Sequence, residues 1–146
     1  MNKSSLHDEK TFYKQFINDL LECREEVIIE SPFITSTRMQ MLYPVFEELI
    51  KKGVKVFVVT RDPHEHTKIY KEQSEFEIQR FERLGVQVLL CVGNHHRKLA
   101  MLDRQILWEG SLNILSQTKS REIMRRIDSN TITMDTFNFL KFSNIL

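Results

Sequence analysis

The sequence predicts an α/β/α sandwich, in which helices flank a mixed, largely parallel central sheet. Short apolar runs rich in β-branched residues, at 27–29 and 54–60, alternate with longer stretches whose apolar side chains recur at helical spacing. Residues 54–60, VKVFVVT, are apolar at nearly every position, which is typical of a strand covered on both faces. This alternation of strands and helices indicates a layered α/β fold.

The chain is expected to form a single domain over residues 1–146. Its hydrophobic fraction of 41% and charged fraction of 28% suit one compact core. With three Pro and four Gly residues and no Pro-rich or Ser/Gly-rich run, the sequence shows no linker, repeat or low-complexity segment.

Local patterns predict the elements in order along the chain. A helix is predicted from about residue 5 to residue 26, because Ser5 and Asp8 resemble a capping box and apolar residues follow at helical spacing. Pro32 then ends a short strand at 27–29. The later elements are a helix over 42–52 with Pro44 in its first turn, a strand over 54–60, a helix over 67–84, a strand over 86–92, a hairpin of 96–102 and 105–108, a strand over 122–127 and a helix over 134–140.

Composition and charge exclude several classes of protein. A net charge of +1 is not that of a strongly basic, non-specific nucleic-acid coat. The first ten residues contain no apolar run typical of a signal peptide, and no later stretch has the length needed to cross a bilayer. We therefore expect a cytoplasmic protein without membrane contact, in which Cys23 and Cys91 are reduced.

Positive charge is concentrated in the second half of the sequence. Residues 94–126 carry seven Lys or Arg side chains against three Asp or Glu. Binding of an anion such as phosphate is expected in this segment.

The same segment contains polar residues at the spacing HxKxxxxDxxxxxxGSxN. They are His96, Lys98, Asp103, Gly110, Ser111 and Asn113. Side chains two residues apart on a strand leave by the same face, so His96 and Lys98 are expected to meet one phosphate together. Ser111 and Asn113 have the same spacing.

This pattern resembles the HKD signature of the phospholipase D superfamily, which it matches at all six positions without a gap. The segment IIESPF, at residues 28–33, resembles the strand before the first crossover of these domains, so the similarity covers most of the chain. The resemblance implies a phospholipase D-like fold and phosphodiester hydrolysis. Short single-motif members similar to this chain are mostly nucleases.

The residue types also suit this chemistry on their own. Hydrolysis of a phosphodiester needs a nucleophile, a proton for the leaving alkoxide, and donors that hold charge on the non-bridging oxygens. Imidazole can serve as nucleophile or as acid near neutral pH, Lys98 supplies a positive charge, and Ser111 and Asn113 supply neutral donors. None of these steps requires a metal or another cofactor, and none is predicted.

One histidine cannot serve both roles in a single step, because in-line displacement puts the attacking and leaving atoms on opposite sides of phosphorus. The resemblance to short single-motif members implies a homodimer in which two chains share one site about a two-fold axis. It also implies that one His96 forms a phosphohistidine while the other protonates the leaving oxygen. By the same resemblance, Glu122 is expected to orient His96.

The remaining candidates have weaker support. Asp103 belongs to the motif, although a structural role near the turn is favoured over a role as reacting acid. Ser31, Lys119 and Arg121 are candidate phosphate or nucleic-acid contacts. The basic residues of this region fit a rim that follows a nucleic-acid backbone and a merely solvated surface equally well.

Several nearby residues are interpreted as incidental. His95 is expected to point away from His96, and Arg97 to be solvated. His64 and His66 follow the second strand, where loops of α/β sheets often line a ligand crevice, but a solvated loop is favoured. Together with Cys91 these histidines match no standard zinc arrangement.

DNA is the expected substrate, because of the local basic surplus and the lack of a lipid-binding element. The fragments ILWEGSLNILSQ and SREIMRRI resemble domains of DNA-processing, helicase-linked and restriction or defence proteins, which points to a partner of that kind. Two alternatives remain open: a phospholipid-processing enzyme of the same superfamily, and a non-catalytic dimerisation or DNA-binding module.

Overall fold

A computed structural model of the chain describes residues 3–146, so residues 1 and 2 of the predicted domain lie outside it. Seven strands form one sheet in the order β1-β7-β6-β5-β2-β3-β4. The strands are β1 (Lys3–Asp8), β2 (Glu26–Glu30), β3 (Lys55–Arg61), β4 (Gln87–Cys91), β5 (Leu99–Leu102), β6 (Ile106–Gly110) and β7 (Ile123–Asp128). The helices are α1 (Phe12–Leu21), α2 (Ser36–Lys51), α3 (Lys68–Leu84) and α4 (Asn130–Phe139).

The predicted mixed sheet with flanking helices is confirmed, but its description as largely parallel is wrong. Strands β2, β3 and β4 pair in parallel, whereas the other four pairings are antiparallel. Helices α2 and α3 provide the crossovers that parallel neighbours need. No helix intervenes between β4 and β7, and short connections between neighbouring strands favour antiparallel pairing.

The first predicted helix is wrong over its amino-terminal part. Residues Lys3–Asp8 form an edge strand paired with β7, and the helix begins only at Phe12. The Asp8 carboxylate accepts hydrogen bonds from the backbone N–H groups of Lys10 and Thr11, at 2.9 and 3.0 Å. Asp8 therefore stabilises the turn that separates strand from helix. The spacing of Ser5 and Asp8 resembles a capping box, but Asp8 has this different local role.

The second helix begins earlier than predicted, so Pro44 lies in its interior and not in its first turn. The other predicted elements lie close to their expected places. Gly85 ends α3 with φ at 110°, in the left-handed conformation that glycine adopts most easily. The hairpin of β5 and β6 turns through residues 103–105, and Asp103 and Arg104 both have positive φ, as the two central residues of a type I′ turn do.

The helices cover the two faces of the sheet unequally. Helices α1, α2 and α3 pack on one face around fully buried aromatic side chains such as Phe16, Phe46 and Trp108. Helix α4 covers a smaller area of the opposite face, with Phe137 against Phe142. Within residues 3–146, no helix combines the length and apolar character that a membrane crossing demands.

Strand direction determines where the motif residues meet. Strands β2, β3, β4 and β6 run in one direction, while β5 and β7 run in the other. The carboxyl ends of the first set therefore lie at the same edge of the sheet as the amino ends of β5 and β7. The residues that precede β5, follow β6 and precede β7 are brought together at this edge, which we call the catalytic edge.

Candidate active site

His96 and Lys98 lie at the catalytic edge, in the extended segment that leads into β5. They precede the strand itself, which begins at Leu99, so the expectation that both lie on a strand is wrong. The expectation that they act together is nevertheless supported by their geometry. Lys98 Nζ lies 2.7 Å from His96 Nδ1 and donates to the His96 carbonyl oxygen at 2.8 Å.

The contact between Lys98 and His96 selects a tautomer of the imidazole. A protonated lysine can only donate, so Nδ1 must accept, and a neutral ring then carries its hydrogen on Nε2. In this arrangement His96 can present a proton to a leaving oxygen. An attacking imidazole needs a free lone pair on Nε2, so it needs the opposite tautomer and a different partner at Nδ1.

Ser111 and Asn113 follow β6 at the same edge. The backbone N–H of Ser111 donates to the Ile123 carbonyl at 2.9 Å, and Ile123 N–H donates to Ser111 Oγ at 3.0 Å, so this serine joins the loop to the start of β7. Asn113 Oδ1 is buried and has no hydrogen-bond partner within residues 3–146. An amide whose oxygen lacks a partner is uncommon in a folded protein and is typical of a functional position.

Gly110 is required by the close approach of β6 to β7. A Cβ atom at this position would lie 2.1 Å from the Ile123 carbonyl oxygen and 2.9 Å from Met124 Cα, closer than real side chains come. Only glycine lets the loop that carries Ser111 and Asn113 leave β6 at this point.

Glu122 lies next to this group but does not contact His96 within the described chain. Its carboxylate accepts a hydrogen bond from Ser120 Oγ at 2.6 Å, and its backbone N–H donates to Glu9 Oε1 at 2.8 Å. It is close enough to Lys98 to oppose, through its negative charge, the lowering of the lysine pKa that burial causes. The expectation that Glu122 orients His96 therefore remains a prediction.

Sequence interpretation missed Glu30, which anchors the segment that carries His96 and Lys98. Glu30 ends β2 and is fully buried. Arg97 donates to both of its carboxylate oxygens, from Nε at 3.0 Å and from the terminal nitrogen at 2.9 Å. The expectation that Arg97 is merely solvated is therefore wrong. The sequence signal for this role was Glu30 itself, a charged residue at the end of the apolar strand in IIESPF, because a buried charge needs a partner.

His95 belongs to the same buried group and is not incidental. Its Nε2 lies 3.7 Å from Glu30 Oε1, is buried, and has no hydrogen-bond partner within residues 3–146. Burial lowers the pKa of His95, and the negative charge of Glu30 only partly opposes this effect. His95 and Arg97 thus lie on the side of the segment that faces Glu30. His96 and Lys98, which alternate with them along the chain, lie on the other side.

Two predicted site residues have structural roles instead. Asp103 lies at the opposite end of β5 from His96, where its carboxylate accepts hydrogen bonds from the backbone N–H groups of residues 24, 25 and 26 at 2.8–3.0 Å. Ser31 is fully buried, donates to the Phe33 carbonyl and accepts from Leu115 N–H. The structural role favoured for Asp103 is thus supported, whereas the assignment of Ser31 as a phosphate contact is corrected.

The basic residues of the region differ in accessibility. Lys119 and Arg121 are exposed in the loop before β7, consistent with a role as contacts for an anion. A cavity of about 570 Å³ opens beside His96 and Lys98, and Arg125 lies in its wall. Arg126 instead forms a bidentate ion pair with buried Asp19, so it supports the fold.

Two histidines lie in the segment that follows β3. His64 Nδ1 lies 3.0 Å from the Asp62 carboxylate. His66 is stacked on Phe33, its Nε2 is buried, and burial lowers its pKa. Over residues 3–146, no three or more His, Cys, Asp or Glu side chains are grouped so as to hold a metal ion.

Known proteins share both the family pattern and the fold. The family model described as "Cardiolipin synthase, PLD-like domain" matches residues 16–139. NucT from Helicobacter pylori superposes with a TM-score of 0.74 at 17% identity, over 97% of this chain and 94% of that one. Nuc, a phospholipase D family member from Salmonella typhimurium, gives 0.74 at 14% identity, over 97% and 93%.

A third structure shows that the fold also occurs in a larger enzyme. Polyphosphate kinase from Porphyromonas gingivalis superposes with a TM-score of 0.73 at 15% identity, over 96% of this chain and 26% of that one. No curated protein matches the chain in sequence.

The anchoring role of Glu30 leads to a prediction with a matched control. Glu30→Gln removes the charge that holds Arg97, so we expect the turnover number of the folded protein to fall by up to about a hundredfold, as small displacements of catalytic groups do. The control is Asp19→Asn, which weakens a similar buried ion pair with Arg126 away from the site. Both variants should unfold at lower temperature, but only Glu30→Gln should lower turnover. An equal loss of turnover in both would contradict a positioning role.

Burial of Lys98 leads to a prediction about pH. Because desolvation lowers the pKa of Lys98, its positive charge is present at low pH and lost as pH rises through a value below that of an ordinary lysine. Lys98→Arg keeps its charge at any accessible pH, so its alkaline loss of activity should begin at higher pH, although its maximal rate should be lower. The measurement is kcat/KM against pH for a small activated phosphodiester. An unchanged alkaline limb would assign that limb to another group.

Proposed function

Since this chain belongs to the phospholipase D-like family, we propose that it is a metal-independent phosphodiesterase that hydrolyses DNA. The observation that carries the proposal is the arrangement at the catalytic edge. His96 and Lys98 precede β5, and Ser111 and Asn113 follow β6. The two segments are adjacent, because Gly110 N–H donates to the Lys98 carbonyl oxygen at 3.4 Å. A proton donor, a fixed cation and two neutral polar groups are the set that phosphoryl transfer requires.

The proposed reaction passes through a covalent intermediate on one histidine. Nε2 of one His96 attacks phosphorus, the bond from phosphorus to the leaving oxygen breaks, and a second His96 gives its proton to that oxygen. Water then attacks phosphorus while the second His96 removes a proton from the water, and the bond from phosphorus to Nε2 breaks, which releases the first His96. Lys98 and Asn113 stabilise the charge on the non-bridging oxygens in both steps.

The second histidine is proposed to come from another copy of the chain. His66 Nε2 is buried, and within residues 3–146 no hydrogen bond or ring contact joins His64 to His96. The surface beside His96 supports pairing, because Leu6 and Ile123 are 57% and 55% exposed there and line the same cavity. Large apolar side chains next to a catalytic group are typical of surfaces that become covered by a partner.

A nucleic-acid substrate is favoured by the charge around the site. Lys119, Arg121 and Arg125 are exposed near the catalytic edge, and cations spaced in this way suit a phosphate backbone. The cardiolipin synthase named by the matching family model makes a lipid phosphodiester the alternative substrate. A helicase or a restriction or defence protein remains the proposed partner.

The first experiment separates these substrates. Pure protein is incubated with single-stranded DNA, plasmid, RNA, phospholipid vesicles and a bis-phosphodiester dye, each with and without excess chelator. We expect cleavage of DNA that persists in chelator. Asn113→Ala should lower the rate about a hundredfold, because it removes a polar group next to the reacting oxygens, whereas Asn138→Ala, an exposed change on α4, should not. Turnover of vesicles alone would establish the lipid alternative, and activity restored by a divalent ion after chelation would contradict the metal-free mechanism.

The second experiment tests the shared site. His96→Ala protein is refolded together with wild-type protein at varied ratios, and total activity and mass in solution are measured. Heterodimers carry one histidine and cannot complete the cycle, so activity should fall toward the square of the wild-type fraction. A linear fall together with a monomeric mass would exclude a site shared between two chains.

A further inference from the structure

A row of aromatic rings extends away from His96 along the surface. The Phe33 ring lies 6.5 Å from the His96 ring and nearly perpendicular to it. The same phenyl ring is stacked on His66 at 4.9 Å and contacts Tyr70 at 5.5 Å between centroids. The loop after β2 supplies Phe33, and the first turn of α3 supplies Tyr70, so both belong to the catalytic edge.

The inner part of this row is fixed and its outer part is accessible. His66 packs behind Phe33 and its buried Nε2 has no hydrogen-bond partner within residues 3–146, so the imidazole serves as a packing surface. Tyr70, in contrast, is 42% exposed. An exposed ring held by a stacked pair is a preorganised surface for a flat ligand.

A groove continues from Tyr70 and Ile69 toward the loop before β7. It encloses about 460 Å³, and its remaining walls are Thr35, Thr37, Gln73, Gln117, Thr118 and Lys119. Among residues 3–146, no acidic side chain lines it, and the single charged residue in its walls is Lys119. Neutral hydrogen-bonding groups with one cation can follow a sugar-phosphate chain, which acidic walls would repel.

We propose that Tyr70, supported by Phe33, forms a subsite on which a base of the nucleotide next to the scissile phosphate stacks, while the groove holds the strand that continues from it. This inference rests on the proposed function and specifies its substrate. A base inside a duplex has both faces covered by its neighbours, so an internal base can stack on Tyr70 only when it is unpaired. The subsite therefore selects single-stranded nucleic acid.

The test measures binding in the His96→Ala protein, which leaves the strand uncleaved. The ligands are a fluorescent thymidine oligonucleotide and an abasic strand of equal length and charge. Tyr70→Leu should weaken binding of the thymidine strand roughly tenfold, as expected for loss of one stacked base, and should affect the abasic strand much less. Tyr70→Phe should retain affinity. Phe76→Ala is the matched control, because Phe76 is an exposed ring on the same helix outside the row, and it should change neither affinity.

The outcomes separate this inference from the proposed function. Equal affinity for the two strands, or an unchanged thymidine affinity in Tyr70→Leu, would overturn the stacking subsite even if the wild-type protein cleaves DNA. Base-dependent binding that requires Tyr70, together with failure of the wild-type protein to hydrolyse any nucleic acid, would support the subsite and refute the nuclease.

Discussion

The bidentate ion pair between Glu30 and Arg97 is the interaction on which the catalytic edge depends. A fully buried carboxylate at the end of β2 is strongly destabilised unless a cation pairs with both of its oxygens, and Arg97 does so from the segment before β5. Residues in an extended chain alternate between two sides. Fixing Arg97 toward the sheet therefore directs His96 and Lys98 to the other side, where their side chains meet. The ion pair that the buried charge of Glu30 requires thus orients His96 and Lys98.

A second carboxylate fixes the other end of the same strand. Asp103 accepts three backbone hydrogen bonds from residues 24–26, which lead into β2, so β5 is tied to β2 at both of its ends. This explains why an aspartate can accompany the motif without taking part in the chemistry. The motif therefore combines groups proposed to act on phosphate, a glycine that lets β6 and β7 approach, and an aspartate that sets the position of β5.

The fold and the site were predictable from the sequence to different degrees. The alternation of apolar strands with helices predicted most elements, and the spacing of the motif predicted the proximity of Lys98 to His96. Strand β1 was missed, because its exposed edge carries no apolar pattern and its pairing with β7 depends on residues more than a hundred positions away. Arg97 and His95 were misjudged because their partner Glu30 is distant in sequence, and Ser31 was misjudged because it also accepts from the distant Leu115. Such roles follow from tertiary contacts and not from local spacing.

The hydrogen bond between Lys98 and His96 bears on how two identical histidines can act differently. With Nδ1 accepting from Lys98, a neutral imidazole carries its hydrogen on Nε2 and is prepared to donate a proton. A nucleophile needs the hydrogen on Nδ1, where a carboxylate or a carbonyl oxygen can accept it. In a pair related by a two-fold axis, both histidines would begin as donors, and one would have to exchange Lys98 for an acceptor. An anionic phosphate attracts the ammonium group of Lys98, and its arrival supplies a reason for that exchange on one side only. The substrate itself would then break the symmetry of the site, because a single phosphorus atom cannot present a leaving oxygen to both histidines.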